Sequence, residues 1–555
     1  LTRTMTEESA SVTAINDPKF AELDAWIARR LAHDDIPGIT LALTTREKTI
    51  YIGGHGFADI ASQTPVAPHH VFEIGSIGKS FTALLLMQMQ DQGLIDVHKP
   101  VTDYLPWFSV QSTYEPITIH HLLTHTSGII GGSDMAADGR FETWYLRETE
   151  VSGPPGESFH YSNVGYKTLG YLIENLLGNR YGDAVTEAVL KPLGMHDSFS
   201  PITNVERALI ATPYRRQYDD RPNRFGDPLF PHTWLETGTA DGGIACTPGD
   251  FAIYARALLN HDSAPVPDAH FAHLAADYST RSKRDPSATY GYGLMTWREG
   301  ERLLIGHSGG MVGHYAQLTM DPEAGLAAVG AVNGPASASP YVTALLDFAR
   351  SLLAGETPAV PEIRSRLTVE KADDYTGEFA NDNITCRVVS DGSQLSLEWE
   401  SDRVPLEQRG ADTFFADHPA LDRDLIVMER DGEQIVAMHH GPFWLGRVGL
   451  PHDLSESAPD EWSAYIGWYR SHNPWTGLVR VLARRGKLFL GSDGEHESEL
   501  FPLSESHFQI DASPSAERIT FDAIADGVAL RANISGQAYY RTPDSSVESG
   551  VFAKG

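Results

Sequence analysis

The stretch from Phe72 to Gln92, FEIGSIGKSFTALLLMQMQDQ, decides the reading of the chain. From Ile77 onward, Phe81, Leu84, Leu85 and Met89 recur at helical spacing, which predicts a helix beginning near Ser76. Serine is a favoured residue at a helix start, so Ser76 alone reads as a cap. Lys79 gives it a second meaning. At i+3 it lies one turn along the same helix face. An apolar setting disfavours the charged form of an amine, and a neutral amine beside a hydroxyl can take its proton and make the serine nucleophilic. The helix N-terminus also favours negative charge on a bound carbonyl oxygen. An S-x-x-K spacing by itself is common by chance.

Two further segments bear on this pair. In PPGESFHYSNVGY, residues 154–166, the Pro-Pro-Gly run predicts a turn, followed by Tyr161, Ser162 and Asn163 ahead of a helical pattern. A phenol beside a lysine is suited to proton shuttling, and an amide that donates and accepts can orient a lysine and a substrate. Taken alone, Tyr161 and Asn163 read equally as capping and packing residues. In GHSGGMVGHYAQLTMDPEAGLAAVGAVN, residues 306–333, the small residues Ser308, Gly309 and Gly310 allow a substrate to approach a strand backbone. Two strands joined at Asp321-Pro322 follow. His307 by itself reads as a surface histidine.

Upstream, residues 18–34 carry Phe20, Leu23, Trp26, Ile27 and Leu31 at helical spacing. Pro37-Gly38 ends that helix, and GITLALTT with TIYIGGHGFAD reads as a strand pair. The glycine-rich Gly53-Gly54-His55-Gly56 lacks the K-S/T of a phosphate loop and is expected to be a hairpin turn. A helix followed by antiparallel strands predicts an α+β domain.

The three motifs in this order resemble the S-x-x-K, Y-x-N and K-T-G motifs of the serine β-lactamase and penicillin-binding-protein superfamily, class C β-lactamases and DD-peptidases in particular. HHLLTHTSGI (120–129), GLIDVHKPVTDYLP (93–106) and YGYGLMTW (290–297) are similar to supporting segments of that family, and the resemblance spans roughly residues 20–350. It implies a β-lactamase/transpeptidase-like fold, with an antiparallel sheet flanked by helices beside an all-helical lobe at roughly 85–230. It implies Ser76 as the acylated nucleophile, Lys79 as its base, Tyr161 as proton shuttle and Asn163 as holder of Lys79 and the substrate amide. The N–H groups of Ser76 and Gly310 become the oxyanion hole, and Ser308 and Gly309 line the substrate. Neither a cofactor nor a metal is implied.

The third motif departs from the pattern. His307-Ser308-Gly309 stands where class C β-lactamases have a lysine, a permanent cation for a substrate carboxylate. An unperturbed imidazole, with a pKa of about 6.5, is mostly neutral near neutrality. The H-x-G version resembles the D-aminopeptidase, some DD-carboxypeptidases and related esterases. The implied function is serine hydrolysis of peptides or amides, D-aminopeptidase-like or DD-peptidase-like, with β-lactamase activity weak or absent. A carboxylesterase is the alternative within the class. A non-catalytic sensor or ligand-binding protein on the same fold is the alternative outside it.

The composition shifts near residue 355, where GETPAVPEIRSR predicts a linker. Beyond it, period-two patterns such as RVVSDGSQLSLEWE and GKLFLGSDG take over. Tyr375-Thr-Gly377-Glu-Phe379 recurs as Tyr465-Ile-Gly467-Trp-Tyr469, 90 positions later. Each copy is followed by a Gly-x-x-hydrophobic step (Gly392 to Leu395, Gly486 to Phe489), a Pro-Leu pair and an aromatic pair. Two small antiparallel lipocalin-like β-barrels fit this series. The expected domains are 1–355 catalytic, 356–365 linker, 366–453 and 458–545 barrels, and 546–555 a tail. Two barrels after the catalytic domain resemble the layout of the D-stereospecific aminopeptidases, where a barrel loop enters the active site. HHGPFWLG (439–446) and SHNPWTG (471–477) are the candidate loops, and both read equally as barrel turns.

With 555 residues the chain holds two to four domains, and its net charge of −31 argues against nucleic acid and anionic membrane as partners. The expected partner is a small peptide, amide or ester substrate; a homodimer stays open. Cys246 and Cys386 are expected to be free buried thiols. His121 and His125 are spaced i, i+4, and other histidines cluster at 69–70, 120 and 439–440, but without an H-E-x-x-H pattern no metal site is expected. The opening LTRTMTEESASVTAIND has no apolar h-region, and the apolar runs are too short to span a membrane, so a cytoplasmic protein is expected.

Overall fold

The computed structural model describes residues 17–134, 138–280, 287–451, 458–492, 496–512 and 514–543. Nearly all of the N-terminal stretch and the tail expected at 546–555 lie outside them. The described residues fall into two compact units. One comprises the chain up to 215 with 229–361, and the other 216–228 with the chain from 362 onward.

The first unit is organised by a nine-stranded antiparallel sheet. Gly38–Thr45 lies between Thr49–Asp59 and Leu326–Val332, and His314–Asp321, Arg302–Met311 and Met295–Glu299 follow in turn. GITLALTT and LAAVGAV are buried along nearly their whole length instead of alternately, so both faces of the sheet centre are covered. The N-terminal helix Ala21–Asp34 meets the helix Ser339–Leu353 through Trp26 and Tyr341, whose ring centroids are 5.9 Å apart.

Gly53-Gly54-His55-Gly56 is not a turn. It runs inside the strand Thr49–Asp59. The glycines serve close packing there: a Cβ on Gly54 would stand 2.7 Å from the Val66 carbonyl oxygen, and one on Gly56, at φ +73°, only 2.2 Å from that of Pro37.

Beside the sheet, the helix Gly78–Asp91 is buried from Gly78 through Met87. The helices Ile119–Leu123, Gly139–Tyr145, Asn163–Leu177 and Tyr181–Val185 form the neighbouring lobe. From Gly194 to Thr247 the chain consists of turns and strands of two or three residues. Among the described residues, no helix is long and apolar enough to cross a membrane.

The second unit holds two closed eight-stranded antiparallel barrels, the first from Gly377–Ala380 to Phe443–Arg447 and the second from Gly467–Arg470 to Gln537–Arg541. The Tyr-x-Gly repeat and the glycine after it have physical counterparts in both barrels. Tyr375 donates its hydroxyl to the Ala411 carbonyl at 2.6 Å, and Tyr465 to that of Glu505 at 2.8 Å. Gly377 lies against the Arg447 guanidinium, which sits over the Phe379 ring. Gly467 lies against Arg541, which sits over Tyr469. Gly392 and Gly486 each make the left-handed turn between the second and third strands, at φ +66° and +69°. Both interiors are filled by side chains, with Phe379, Leu397 and Phe414 in the first and Tyr469, Val481 and Phe508 in the second all fully buried.

Residues 216–228 are clipped onto this unit by charge. Asp219 accepts two bonds from Arg470 (2.8 and 3.0 Å), Asp220 one from Arg423 (2.8 Å), and Arg221 bridges Asp227 and Asp422. HHGPFWLG is a barrel hairpin in which His440 meets the Leu421 carbonyl and Trp444 donates to Glu429 at 3.0 Å. SHNPWTG joins the first two strands of the second barrel and is turned by the Asn473 carboxamide.

Candidate active site

Ser76 occupies a 3-10 turn, Gly75–Ile77, that runs directly into the helix Gly78–Asp91. Its side chain caps nothing: the helix starts at Ile77 without a side-chain cap. Gly75 is at φ +52°, and a Cβ there would stand 2.5–2.8 Å from the backbone of Gly310. A Cβ on Gly309 would stand 1.9 Å from the Ile74 carbonyl oxygen and 3.1 Å from the Ser76 nitrogen. The third-motif strand Arg302–Met311 therefore lies backbone to backbone against the turn that carries Ser76. Only glycine at both Gly75 and Gly309 permits this.

Lys79 is fully buried, and its Nζ has three partners. It is 3.0 Å from Ser76 Oγ, 2.7 Å from Asn163 Oδ1 and 2.8 Å from the Asp241 carbonyl oxygen. The last two are acceptors, so they claim two N–H bonds. The remaining tetrahedral position of Nζ faces Ser76. A proton there donates to Oγ, whereas a lone pair there accepts the serine proton. The Tyr161 and Tyr166 rings stand 4.9 and 5.5 Å from the same nitrogen.

Asn163 opens the helix Asn163–Leu177, whose cap is the preceding Ser162, with Oγ accepting from Gly165 N at 3.0 Å. The cap holds Asn163 at the first turn, aimed at Lys79. Tyr161 lies just before it, outside any helix or strand, and its buried hydroxyl has no hydrogen-bond partner among the described residues. Its ring packs against that of His125 at a tilt of 34°, with centroids 4.2 Å apart.

His307 is buried in the third-motif strand, with its ring 6.3 Å from that of Tyr161. Its Nε2 is 3.0 Å from Tyr290 Oη, and its Nδ1 bonds the Ser308 carbonyl. Tyr290 Oη lies 3.3 Å from His125 Nε2, while His125 Nδ1 accepts from Ser162 N at 3.0 Å. The site residues expected from the three motifs thus stand around one centre, and His125, Tyr290 and the Asp241 carbonyl join them. His125 and Tyr290 lie in segments matched only as supporting ones. Asp241 contributes a backbone atom, for which no side chain signals.

Behind the centre, Lys167 pairs with Asp134 and with the fully buried Glu142, the latter at 2.6 Å. Burial opposes its charge, but Asp241, Glu142 and Asp134 together outweigh that and hold the ammonium well above the usual lysine range. Nearby, His314 spans Glu73 and the Ala211 carbonyl at 3.0 Å each. Cys246 and Cys386 are free and buried, and burial pushes both thiols up, Cys386 to about 12. Of the clustered histidines, His121 completes the capping box at Thr118 and His120 lies against the Tyr292 hydroxyl at 2.7 Å. Among the described residues, no group of three or more His, Cys, Asp or Glu could hold a metal ion.

Residues 23–348 match the Beta-lactamase family model. The chain belongs to the beta-lactamase family. Protein flp of Staphylococcus aureus is 29% identical over 204 residues, 35% of this chain and 41% of that protein. The chain thus spans about two fifths of the length of this curated relative. The octameric penicillin-binding protein homologue from Pyrococcus abyssi is 24% identical, with a TM-score of 0.57, over 77% of this chain and 99% of that one. The D-amino acid amidase of Ochrobactrum anthropi is 23% identical, with a TM-score of 0.51, over 60% and 98%. Both likenesses establish the shared fold.

Proposed function

We propose that this member of the beta-lactamase family is an amidohydrolase that passes through an acyl-enzyme on Ser76, acting on amino-acid amides or short peptides. The observation that carries this reading is the Lys79 amine, pinned by Asn163 Oδ1 and the Asp241 carbonyl so that its remaining position meets Ser76 Oγ. Lys79 takes the serine proton as Oγ bonds to the substrate carbonyl carbon. The oxyanion develops between the N–H groups of Ser76 and Gly310, which the glycine contacts bring together. Tyr161, whose hydroxyl has no other described partner, hands a proton to the departing amine. Water then cleaves the ester along the reverse path. The amide class, with D-configured amino-acid amides foremost, is supported by the H-x-G third motif and by the likeness to the D-amino acid amidase.

The test is covalent labelling. A fluorophosphonate should add to Ser76 in the intact protein, and Lys79→Ala should slow that addition at least about a hundredfold, the order of a general-base contribution. Absence of label on Ser76, or an unchanged rate in the Lys79 variant, refutes the proposal. A panel of D- and L-aminoacyl anilides against short p-nitrophenyl esters then separates amide from ester hydrolysis. Turnover of esters alone would overturn the amide assignment and leave the nucleophile standing.

A further inference from the structure

The barrel interiors are filled, but a cavity of about 360 Å³ lies outside them, lined from both barrels of the second unit. Side chains alternate between the two faces of a strand. In the first barrel Phe414, Ile426, Met428 and Met438 belong to the core, so Thr413, Val427 and His439 point outward, side by side across three strands. In the second barrel Val479, Val481 and Leu488 belong to the core, so Arg480, Leu482 and Phe489 point outward. There Trp468, Arg480, Gly491 and Glu497 form a second row across four strands. Both rows line the cavity.

Its volume lies near the lower end of the range for small-molecule sites, about 300–1,000 Å³. Leu425, Val427, Leu482 and Phe489 supply an apolar wall. The Arg, Asp and Glu side chains of the lining balance in charge. Arg480 Nη1 donates to both Asp424 oxygens, at 2.8 and 2.9 Å, and Arg484 Nη2 donates to Glu497 Oε2 at 2.6 Å. A ligand with a net charge would bring an uncompensated ion into this lining, whereas one that carries both signs adds none. Each sign also has a group to meet. Both of the Arg480 bonds use Nη1, and its Nε and Nη2 make no hydrogen bond among the described residues. The Trp468 ring, 5.2 Å from the guanidinium, backs it. Glu497 Oε1 is only loosely engaged by Arg484, at 3.4 Å, which leaves it lone pairs for an ammonium.

We propose that this cavity binds a zwitterionic amino acid with an apolar side chain. The carboxylate lies on Arg480, the ammonium on Glu497 Oε1 and the side chain against Leu425, Val427 and Leu482. The proposal goes beyond the reading of Ser76 and uses none of the residues of that site. An amino acid is the acid product of the hydrolysis proposed above, so the second unit would bind what the first releases.

The test is calorimetry of the full-length protein with racemic leucine, 4-methylpentanoate and 3-methylbutylamine. The three share one apolar body and carry both charges, the carboxylate alone or the ammonium alone. Leucine should bind with a Kd of about 1 mM or tighter, and each singly charged analogue at least about tenfold more weakly, the worth of one charge-assisted hydrogen bond. Gly491→Leu fills the cavity without straining its wall, since a Cβ there comes no closer than 3.7 Å to any neighbour. It should abolish leucine binding at an unchanged thermal midpoint. Glu497→Gln keeps an acceptor for Arg484, removes the partner of the ammonium and should weaken leucine binding about tenfold. Wild-type protein that takes up no leucine at about 10 mM, or leucine binding that survives Gly491→Leu, would overturn the site. Leucine held at the Ser76 centre is recognised by that second outcome, because Gly491→Leu leaves it untouched. Analogues that bind as tightly as leucine, or full affinity in Glu497→Gln, would overturn the zwitterionic ligand.

Discussion

Gly309→Ala is a one-methyl substitution that should silence the enzyme without unfolding it. The added Cβ would stand 1.9 Å from the Ile74 carbonyl oxygen, 2.9 Å from its carbon and 3.1 Å from the Ser76 nitrogen. Ordinary contact begins near 3.4 Å, so strand and turn must part by about 1.5 Å. The obstacle cannot swing aside cheaply. The Ile74 carbonyl accepts from Ile77 N within the Ser76 turn, and Ile74 N is bonded to the Ile244 carbonyl at 3.0 Å. Overpacking of this kind costs about 1–3 kcal/mol of stability, which a folded protein of this size survives. The Ser76 and Gly310 N–H groups, proposed above to bind the oxyanion, lie one on each side of the widened gap. Misplacing catalytic groups by about 1 Å costs about a hundredfold, so kcat/KM should drop at least that much, about 2.7 kcal/mol of transition-state stabilisation. Gly310→Ala is the matched control. Its Cβ would meet only the Tyr315 ring, at 3.6 Å, and the N–H is kept. The assay is the second-order rate of fluorophosphonate addition to Ser76 by intact mass, read beside the thermal midpoint. Labelling of Gly309→Ala within about threefold of wild type, or equal damage from Gly310→Ala, would refute the backbone-to-backbone reasoning.

Removing the Lys167 ammonium by Lys167→Met leaves the fully buried Glu142 unpaired, and should destabilise the first unit by about 3–5 kcal/mol. Adding Glu142→Gln should recover part of that loss, and a Lys167→Met protein as resistant to urea as wild type would show that the pair is not needed. Asp250 offers a pH signature: burial pushes its carboxyl up to about 6, although it accepts from Asp197 N and Ser198 Oγ at 2.8 Å each. The folded state then binds the extra proton, so this group's contribution is present below about pH 4 and is lost as pH rises through 6. Asp250→Asn keeps an acceptor for both donors and should therefore gain about 1–3 kcal/mol relative to wild type near neutrality and nothing at pH 4. The position of Asp250 in the first turn of the helix Pro248–Asn260, where negative charge is favoured, holds the gain below the full desolvation penalty. Unfolding curves of the two proteins that run parallel from acid to neutral pH would contradict the assignment.

Local physics made much of this molecule readable. The apolar spacing after Ile77 marks a helix because side chains three and four apart share a face, and the helix Gly78–Asp91 follows it. The Tyr-x-Gly repeat marks two copies of one barrel because each glycine must admit an arginine from the closing strand. Gly53-Gly54-His55-Gly56 misled because glycine in a strand and glycine in a turn look alike until the neighbouring backbone is placed. Residues 216–228 carry no sign that they join the second unit, since their partners Arg423 and Arg470 lie some 200 and 250 positions away.

The sequence by itself determined which residue types could do acyl chemistry and in what order they occur: Ser76 with Lys79, Tyr161 with Asn163, and His307 ahead of Ser308 and Gly309. Only the tertiary structure decided how they act. Lys79 is aimed at Ser76 by Asn163, 84 positions on, and by a backbone carbonyl, 162 positions on. A carbonyl is common to every residue and leaves no mark in a sequence. The same holds for His307. Its letter does not show its surroundings, which in the fold include the Tyr290 hydroxyl, 17 positions before it, and the carbonyl of the residue that follows.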